Sequence, residues 1–327
     1  MSHTMTSTFT PLRGATNPHV QTLLPRFLRR TPLFEPVWQR LNTPDGDFLD
    51  IGWTEPPEQA KGKPVAVLFH GLAGCFYSPY ANGLLNAFRE QGWLGVIMHF
   101  RGCSGSLNRL PRSYHSGETS DARFFLSYLS EQFPDVPRVA TGVSLGGNML
   151  VRYLAEFNHD PLIKAGCVIS PPLNLAACSS RINQGFSKVY QAYLLRSMNR
   201  SLTNKLARHP EIGHWKSNDK ISISTLLQFD QTVTAPLHGF LNAEDYYKQC
   251  SGLGVLRDVA TPLKVVHAKD DPFMTEAVIP TELLPENIHY HLTEYGGHVG
   301  FISGTLTKPE FWLEQEVPRW LALHMDN

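Results

Sequence analysis

The sequence predicts an α/β protein: a mostly parallel, doubly wound sheet interrupted by an inserted helical cap. Three observations lead there. Apolar runs of strand length alternate with segments of helical periodicity, as in a parallel sheet covered on both faces. Most of these runs end in loops rich in Gly, Asp or His, so chemistry-bearing residues gather at one edge of the sheet. The alternation stops between residues 173 and 255, which are polar and aromatic with helical patches and no clear buried strand, and then resumes. The chain therefore divides into an arm (1–33), a first core part (34–172), a cap insertion (173–255) and a second core part (256–327).

In order, the arm comes first. Its stretch Thr22 to Arg30 mixes Leu and Phe with three arginines. One reading is a basic amphipathic contact with a membrane surface. The other is a segment packed on the core with its arginines in water, which is preferred because Pro25 interrupts it. Trp38 to Leu41 and Phe48 to Trp53 flank the turn Thr43-Pro44-Asp45-Gly46-Asp47, a hairpin signal. Val65 to Phe69 is a continuous apolar run ending in His70-Gly71-Leu72-Ala73-Gly74. A helix is expected from Tyr80 to Gln91, closed by Gly92, and a strand from Trp93 to Phe100. Glu118 to Gln132 carries Phe124, Phe125, Tyr128 and Leu129 along one helical face. A strand and helix follow around Ser144, then a strand at Ala165 to Ser170, stopped by Pro171-Pro172. After the cap come strands at Leu263 to His267 and Ile288 to Leu292, and a last helix near Pro309 to Met325.

Bulk properties exclude several function classes. A hydrophobic fraction of 42% in 327 residues suffices for a large core. Lys plus Arg and Asp plus Glu are both 29, and a formal net charge of zero argues against a nucleic-acid partner. The five cysteines (Cys75, Cys103, Cys167, Cys178, Cys250) are odd in number and show no Cys-x-x-Cys pair. Neither a disulfide framework nor a zinc site is expected, and a cytoplasmic location fits. Met1 to Pro18 lacks the apolar core of a signal peptide. No run reaches the roughly 18 apolar residues of a membrane span. His70, His99 and His115 lie in separate elements with no His-Glu-x-x-His, so no metal or other cofactor is expected.

The chemistry centres on Gly142-Val143-Ser144-Leu145-Gly146, placed between a short apolar strand and an apolar helix. Glycines on both sides let the chain turn sharply and hold the serine hydroxyl out beside a helix N-terminus. This is the nucleophile elbow of an α/β-hydrolase fold, with Ser144 as nucleophile. A hydroxyl needs a base, and His298 in Gly296-Gly297-His298 follows a strand and can reach the same sheet edge. Asp271 in Asp270-Asp271-Pro272 is the acid that would orient His298, with Asp270 as its competitor. The order Ser, Asp, His suits this fold. Backbone N–H groups of Leu72 and Leu145 would form the oxyanion hole, and His70 would brace that loop rather than act as a base. Cys103 is a minor alternative nucleophile, and Cys75 a redox-sensitive bystander. His214-x4-Asp219 resembles an acyltransferase motif but falls in the cap, far from the elbow. The cap aromatics Phe186, Tyr190, Tyr193, Phe229, Phe240, Tyr246 and Tyr247 either roof an acyl group or form the cap's own core.

With these residues in view, the chain resembles the YheT-like branch of the α/β-hydrolase superfamily (the AB hydrolase 4 family). That branch includes bacterial proteins assigned as esterases and eukaryotic abhydrolases related to medium-chain ethyl ester synthase/esterases. The matching stretches are Asn17 to Thr22, His70 to Leu72, His99 to Gly105, Tyr114 to Thr119, Gly142 to Asn148, Ala268 to Phe273 and Gly296 to Phe301. The resemblance implies a serine esterase acting on a small-molecule ester, of short to medium acyl length, through Ser144, Asp271 and His298. It also implies that Arg101, Gly102 and the Tyr114 to Thr119 stretch shape the site. Transfer of the acyl group to an alcohol is the alternative within the same chemistry. A non-catalytic binding module on the hydrolase fold is the alternative outside it.

Overall fold

Alternation along single strands explains the layers. In the computed structural model, which describes residues 9–212 and 223–325, Val65, Val67 and Phe69 face one hydrophobic cluster while Ala66 and Leu68 face another. Successive side chains point to opposite faces of a strand, so a run buried at every position must be covered on both sides. The strands are β1 (Val37–Asn42), β2 (Phe48–Trp53), β3 (Val65–Phe69), β4 (Leu94–Met98), β5 (Arg138–Val143), β6 (Ala165–Ile169), β7 (Leu263–Ala268) and β8 (Ile288–Thr293). They form one eight-stranded sheet in the order β1-β2-β4-β3-β5-β6-β7-β8. The β1–β2 and β2–β4 pairs are antiparallel and the remaining pairs are parallel.

The helices in chain order are α1 (Pro18–Leu28), α2 (Pro79–Glu90), α3 (Ser120–Gln132), α4 (Leu145–Glu156), α5 (Leu175–Ile182), α6 (Ser187–Arg208), α7 (Leu226–Phe229), α8 (Ala235–His238), α9 (Ala243–Cys250) and α10 (Trp312–Ala322). Leu84 and Phe88 of α2 join Val317 and Leu321 of α10 on one face of the sheet. Phe125 and Leu129 of α3 join Leu150 and Leu154 of α4 on the other. β6 and β7 are hydrogen-bonded neighbours, yet α5 to α9 lie between them in sequence. That excursion leaves the sheet and returns to the adjacent position.

Two local expectations change. α1 runs through Pro25 without a break. Asn17 caps it by accepting from the His19 and Val20 N–H groups at 2.9 and 3.3 Å, and packing against the core holds the helix despite the lost backbone donor. The last helix begins at Trp312 rather than Pro309, because Pro309–Phe311 forms strand β10, paired with β9 (Ile302–Gly304) in a small hairpin. Gly304 at φ 80° supplies the turn. Among the described residues no helix is long and apolar enough to cross a membrane.

Candidate active site

Ser144 sits between β5 and α4 with φ 51° and ψ −118°, a region that non-glycine residues rarely occupy. The flanking glycines make this turn possible. A Cβ on Gly142 would strike the Gly146 carbonyl oxygen, and one on Gly146 would strike the carbonyl oxygens of Phe69 and His70. Those obstacles are backbone and cannot rotate away. Gly146→Ala is therefore expected to destabilise the fold by about 1–3 kcal/mol. Gly254→Ala, at a position with open space around it, should be near neutral by comparison. Equal denaturation midpoints for the two variants would contradict this account of the turn.

His298 reaches Ser144 from the loop after β8. Its Nε2 lies 3.1 Å from Ser144 Oγ, and its Nδ1 lies 2.8 Å from Asp271 Oδ2. The structure thus brings Ser144, His298 and Asp271 into one hydrogen-bond chain. Asp270 faces elsewhere: its Oδ1 accepts from the Gly297 N–H at 2.9 Å, and its Oδ2 is buried without a partner. Burial pushes the Asp270 carboxyl above the usual carboxylate range. The second Asp271 oxygen accepts from the Phe273 N–H at 2.8 Å, which fixes the carboxylate plane. The Phe273 ring then stacks on the His298 imidazole, with centroids 4.0 Å apart and planes 9° apart.

The loop carrying His298 is clamped by α1. The His298 N–H donates to Thr22 Oγ1 at 2.9 Å, and Thr22 donates to the Pro18 carbonyl at 2.7 Å. Gln21 is fully buried; its amide bonds Ala15 O and Ile302 O, and it accepts from the Ile302 N–H. A Cβ on Gly297 would meet Pro18 O at 2.6 Å, so only glycine allows this approach. Thr22 and Phe273 hold His298 in place without a sequence signal for that role. Thr22 belongs to the arm, whose helix is thereby part of the site's scaffold.

The Leu72 loop lies against the serine: a Cβ on Gly71 would be 3.2 Å from Ser144 Cβ. Two tyrosines secure it, Tyr80 OH accepting from the Gly71 N–H at 2.8 Å and Tyr114 OH from the Ala73 N–H at 2.9 Å. His70 donates from Nδ1 to the Gly71 carbonyl and accepts at Nε2 from the Phe100 N–H, at 2.7 and 3.1 Å. Burial lowers the His70 pKa to about 3, so the neutral tautomer persists at working pH and His70 acts as a brace. Leu145 is the first residue of α4, where the backbone N–H has no intrahelical partner. Leu72, Leu145, Ser144 and His298 all line one cavity.

That cavity has a volume of about 780 Å³. Tyr190, Tyr193, Phe229, Tyr246 and Tyr247 line it from the α5–α9 region, whereas Phe186 and Phe240 do not. The same region keeps a small core of its own around Leu195, Leu202 and Leu206. Arg101 is committed to structure: its guanidinium holds Asp121 at 2.7 and 2.8 Å, Asp45 at 2.8 Å and Asp47 at 3.0 Å. Asn148 of α4 donates to Ser116 O and Cys250 O, tying the Tyr114 to Thr119 stretch to the end of α9. Burial pushes the Cys103 thiol up to about 12, which leaves it protonated and unsuited to nucleophilic attack. His214 and Asp219 lie outside the described residues.

One group with metal-ligand chemistry occurs among the described residues: donor atoms of His115, Glu118 and His238 lie within 4.8 Å of one another. Its carboxylate is already paired with the Arg112 guanidinium, and His115 Nδ1 accepts from the Gly117 N–H at 3.2 Å. A cation there would compete with a fixed positive charge, so the donor set does not suit a metal.

Comparison with known proteins agrees with the geometry at the level of family. The chain belongs to the alpha/beta hydrolase fold family, whose profile matches residues 64–305. It is 50% identical over 319 residues to the protein named "Putative esterase YheT" of Escherichia coli strain K12, covering 97% of this chain and 94% of that one. The resemblance to the YheT-like branch therefore holds. Phospholipase ABHD3 of Bos taurus is 26% identical over 330 residues, covering 99% of this chain and 80% of that one. Among solved structures, the Pyrococcus furiosus esterase Pf2001 shares the fold, with a TM-score of 0.55 at 15% identity over 90% of this chain and 94% of that one.

Proposed function

We propose that the protein is a serine hydrolase of carboxylic esters, with Ser144 as nucleophile, His298 as general base and acid, and Asp271 as the group that orients His298. The observation that carries this reading is the Asp271–His298–Ser144 hydrogen-bond chain, at 2.8 and 3.1 Å, opening into an apolar cavity. Ser144 Oγ attacks the ester carbonyl carbon as its proton passes to His298 Nε2. Asp271 stabilises the imidazolium, and the Leu72 and Leu145 N–H groups receive the oxyanion. Collapse expels the alcohol, which takes the proton from His298. Water, deprotonated by His298, then releases the acid from the acyl-enzyme and restores Ser144.

No cofactor enters these steps. Residues 173–255 act as a cap on a core made of 34–172 and 256–327, with the arm 1–33 supporting the His298 loop. The cavity volume falls within the roughly 300–1,000 Å³ of small-molecule sites, which suits esters of short to medium acyl length. Relatives bearing esterase and phospholipase names support ester hydrolysis as the reaction class. Five free thiols suit the cytoplasm. Treatment with a fluorophosphonate followed by peptide mass spectrometry tests the assignment. A single adduct on Ser144, absent from Ser144→Ala, is expected; a protein that stays unlabelled while properly folded would sink it.

A further inference from the structure

Charge in this neutral chain is unevenly placed. Residues 1–34 and 161–210 contain no Asp or Glu, yet they carry four and seven of the 29 lysines and arginines. The fold sets the described parts of these two stretches side by side. His19 of α1 lies with its ring centroid 4.5 Å from that of Phe186, and its Nδ1 is 3.1 Å from Tyr190 OH of α6. Arg26 of α1 donates to Tyr193 OH at 2.9 Å and covers its ring.

The joint surface is apolar as well as basic. Phe186, Val189 and Tyr193 follow i, i+3, i+7 spacing and are 50%, 56% and 59% exposed; Val20 and Phe27 share a similar face of α1 at 42% and 59%. Lys188, Arg196 and Arg200 of α6 and Arg30, two residues past the end of α1, are exposed as well. Val189 and Tyr193 also line the cavity that holds Ser144, together with Leu23 and Arg26. Residues that both line a cavity and stand in solvent mark its mouth. A basic, apolar ridge therefore borders the opening of the cavity that holds Ser144.

We propose that the α1–α6 ridge docks the protein on an anionic lipid surface. Bulky apolar side chains flanked by lysine and arginine match the boundary between headgroups and acyl chains, and an anionic leaflet supplies the complementary charge. The docking follows from the surface alone; only the delivery of esters from that layer into the cavity rests on the function proposed above.

Flotation of the full chain with phosphatidylcholine vesicles, with and without phosphatidylglycerol, tests the inference. Binding should require phosphatidylglycerol and fall as salt rises. Arg196→Glu combined with Arg200→Glu should weaken partitioning at least about tenfold while hydrolysis of a soluble ester stays unchanged. Phe27→Ser should weaken it independently, which keeps the test decisive should the double reversal disturb α6. Ser144→Ala should bind vesicles like the wild type, separating docking from catalysis. No flotation at low salt, equal flotation with neutral vesicles, or full flotation of the charge-reversed protein would each overturn the proposal. Retention on poly-glutamate without vesicle binding would reassign the ridge to an acidic protein and overturn it too.

Discussion

Ser144→Ala is expected to lower kcat for a soluble ester by about 10⁶-fold while leaving the fold intact. The size follows from what alanine removes. Without Oγ no acyl-enzyme forms, so water must attack directly, aided only by the N–H groups of Leu72 and Leu145 and by binding in the cavity. In the proposed mechanism Ser144 and His298 act as one unit, so Ser144→Ala combined with His298→Ala should lose little beyond the single substitution. Steady-state kinetics, with circular dichroism to verify folding, decide the matter. A loss below about tenfold would remove Ser144 from the mechanism.

Asp271→Asn and Asp270→Asn should differ by orders of magnitude, although the two residues are adjacent. Asp271 Oδ2 meets His298 Nδ1 while Oδ1 accepts from the Phe273 N–H. An asparagine that keeps the Phe273 bond turns its NH₂ toward His298. The imidazole must then place its proton on Nε2, where it can no longer accept the proton of Ser144. A loss in kcat of about 10⁴-fold is expected. Asp270 Oδ1 accepts from the Gly297 N–H, and asparagine can do the same. Its kcat should stay within about threefold of wild type, since no charge is removed from the His298–Ser144 pair. A larger loss from Asp270→Asn than from Asp271→Asn would reverse the assignment of the acid.

The same pair shows where a sequence stops being informative. Ser144 was legible because its glycines are demanded by short-range sterics, and the strand–turn–helix context is visible over a dozen residues. His298 and the acidic loop were legible because strand order in a parallel sheet sends their loops to one edge. Asp270 and Asp271 were separable only by where each carboxylate points after the β7 turn, a matter of single dihedral angles. Thr22, Tyr114 and Phe273 lie in stretches that carry the family resemblance and Tyr80 does not, but the individual contact of each was unreadable because it is formed only by the folded chain. Pro25 and Pro309 misled for a related reason: tertiary packing keeps α1 helical across one, and pairing with Ile302–Gly304 makes a strand of the other. Which side chains of residues 173–255 would face a cavity and which a private core was likewise open: Tyr190, Tyr193, Phe229, Tyr246 and Tyr247 line the cavity, while a cluster around Leu195, Leu202 and Leu206 packs among the helices themselves.

The grip of α1 on the His298 loop has a consequence for biosynthesis. Thr22 and Gln21 leave the ribosome 276 and 281 residues before their partners His298 and Ile302. Chains grow from the N-terminus at about 5–20 residues per second, so the elbow is made well before the base that would activate it. An interrupted translation product can carry Ser144 and most of the sheet, but neither His298 nor the element that α1 must hold. Synthesis of the His298 loop is thus the step that would complete the proposed triad, and a copy that stops before it lacks the Asp271–His298–Ser144 hydrogen-bond chain.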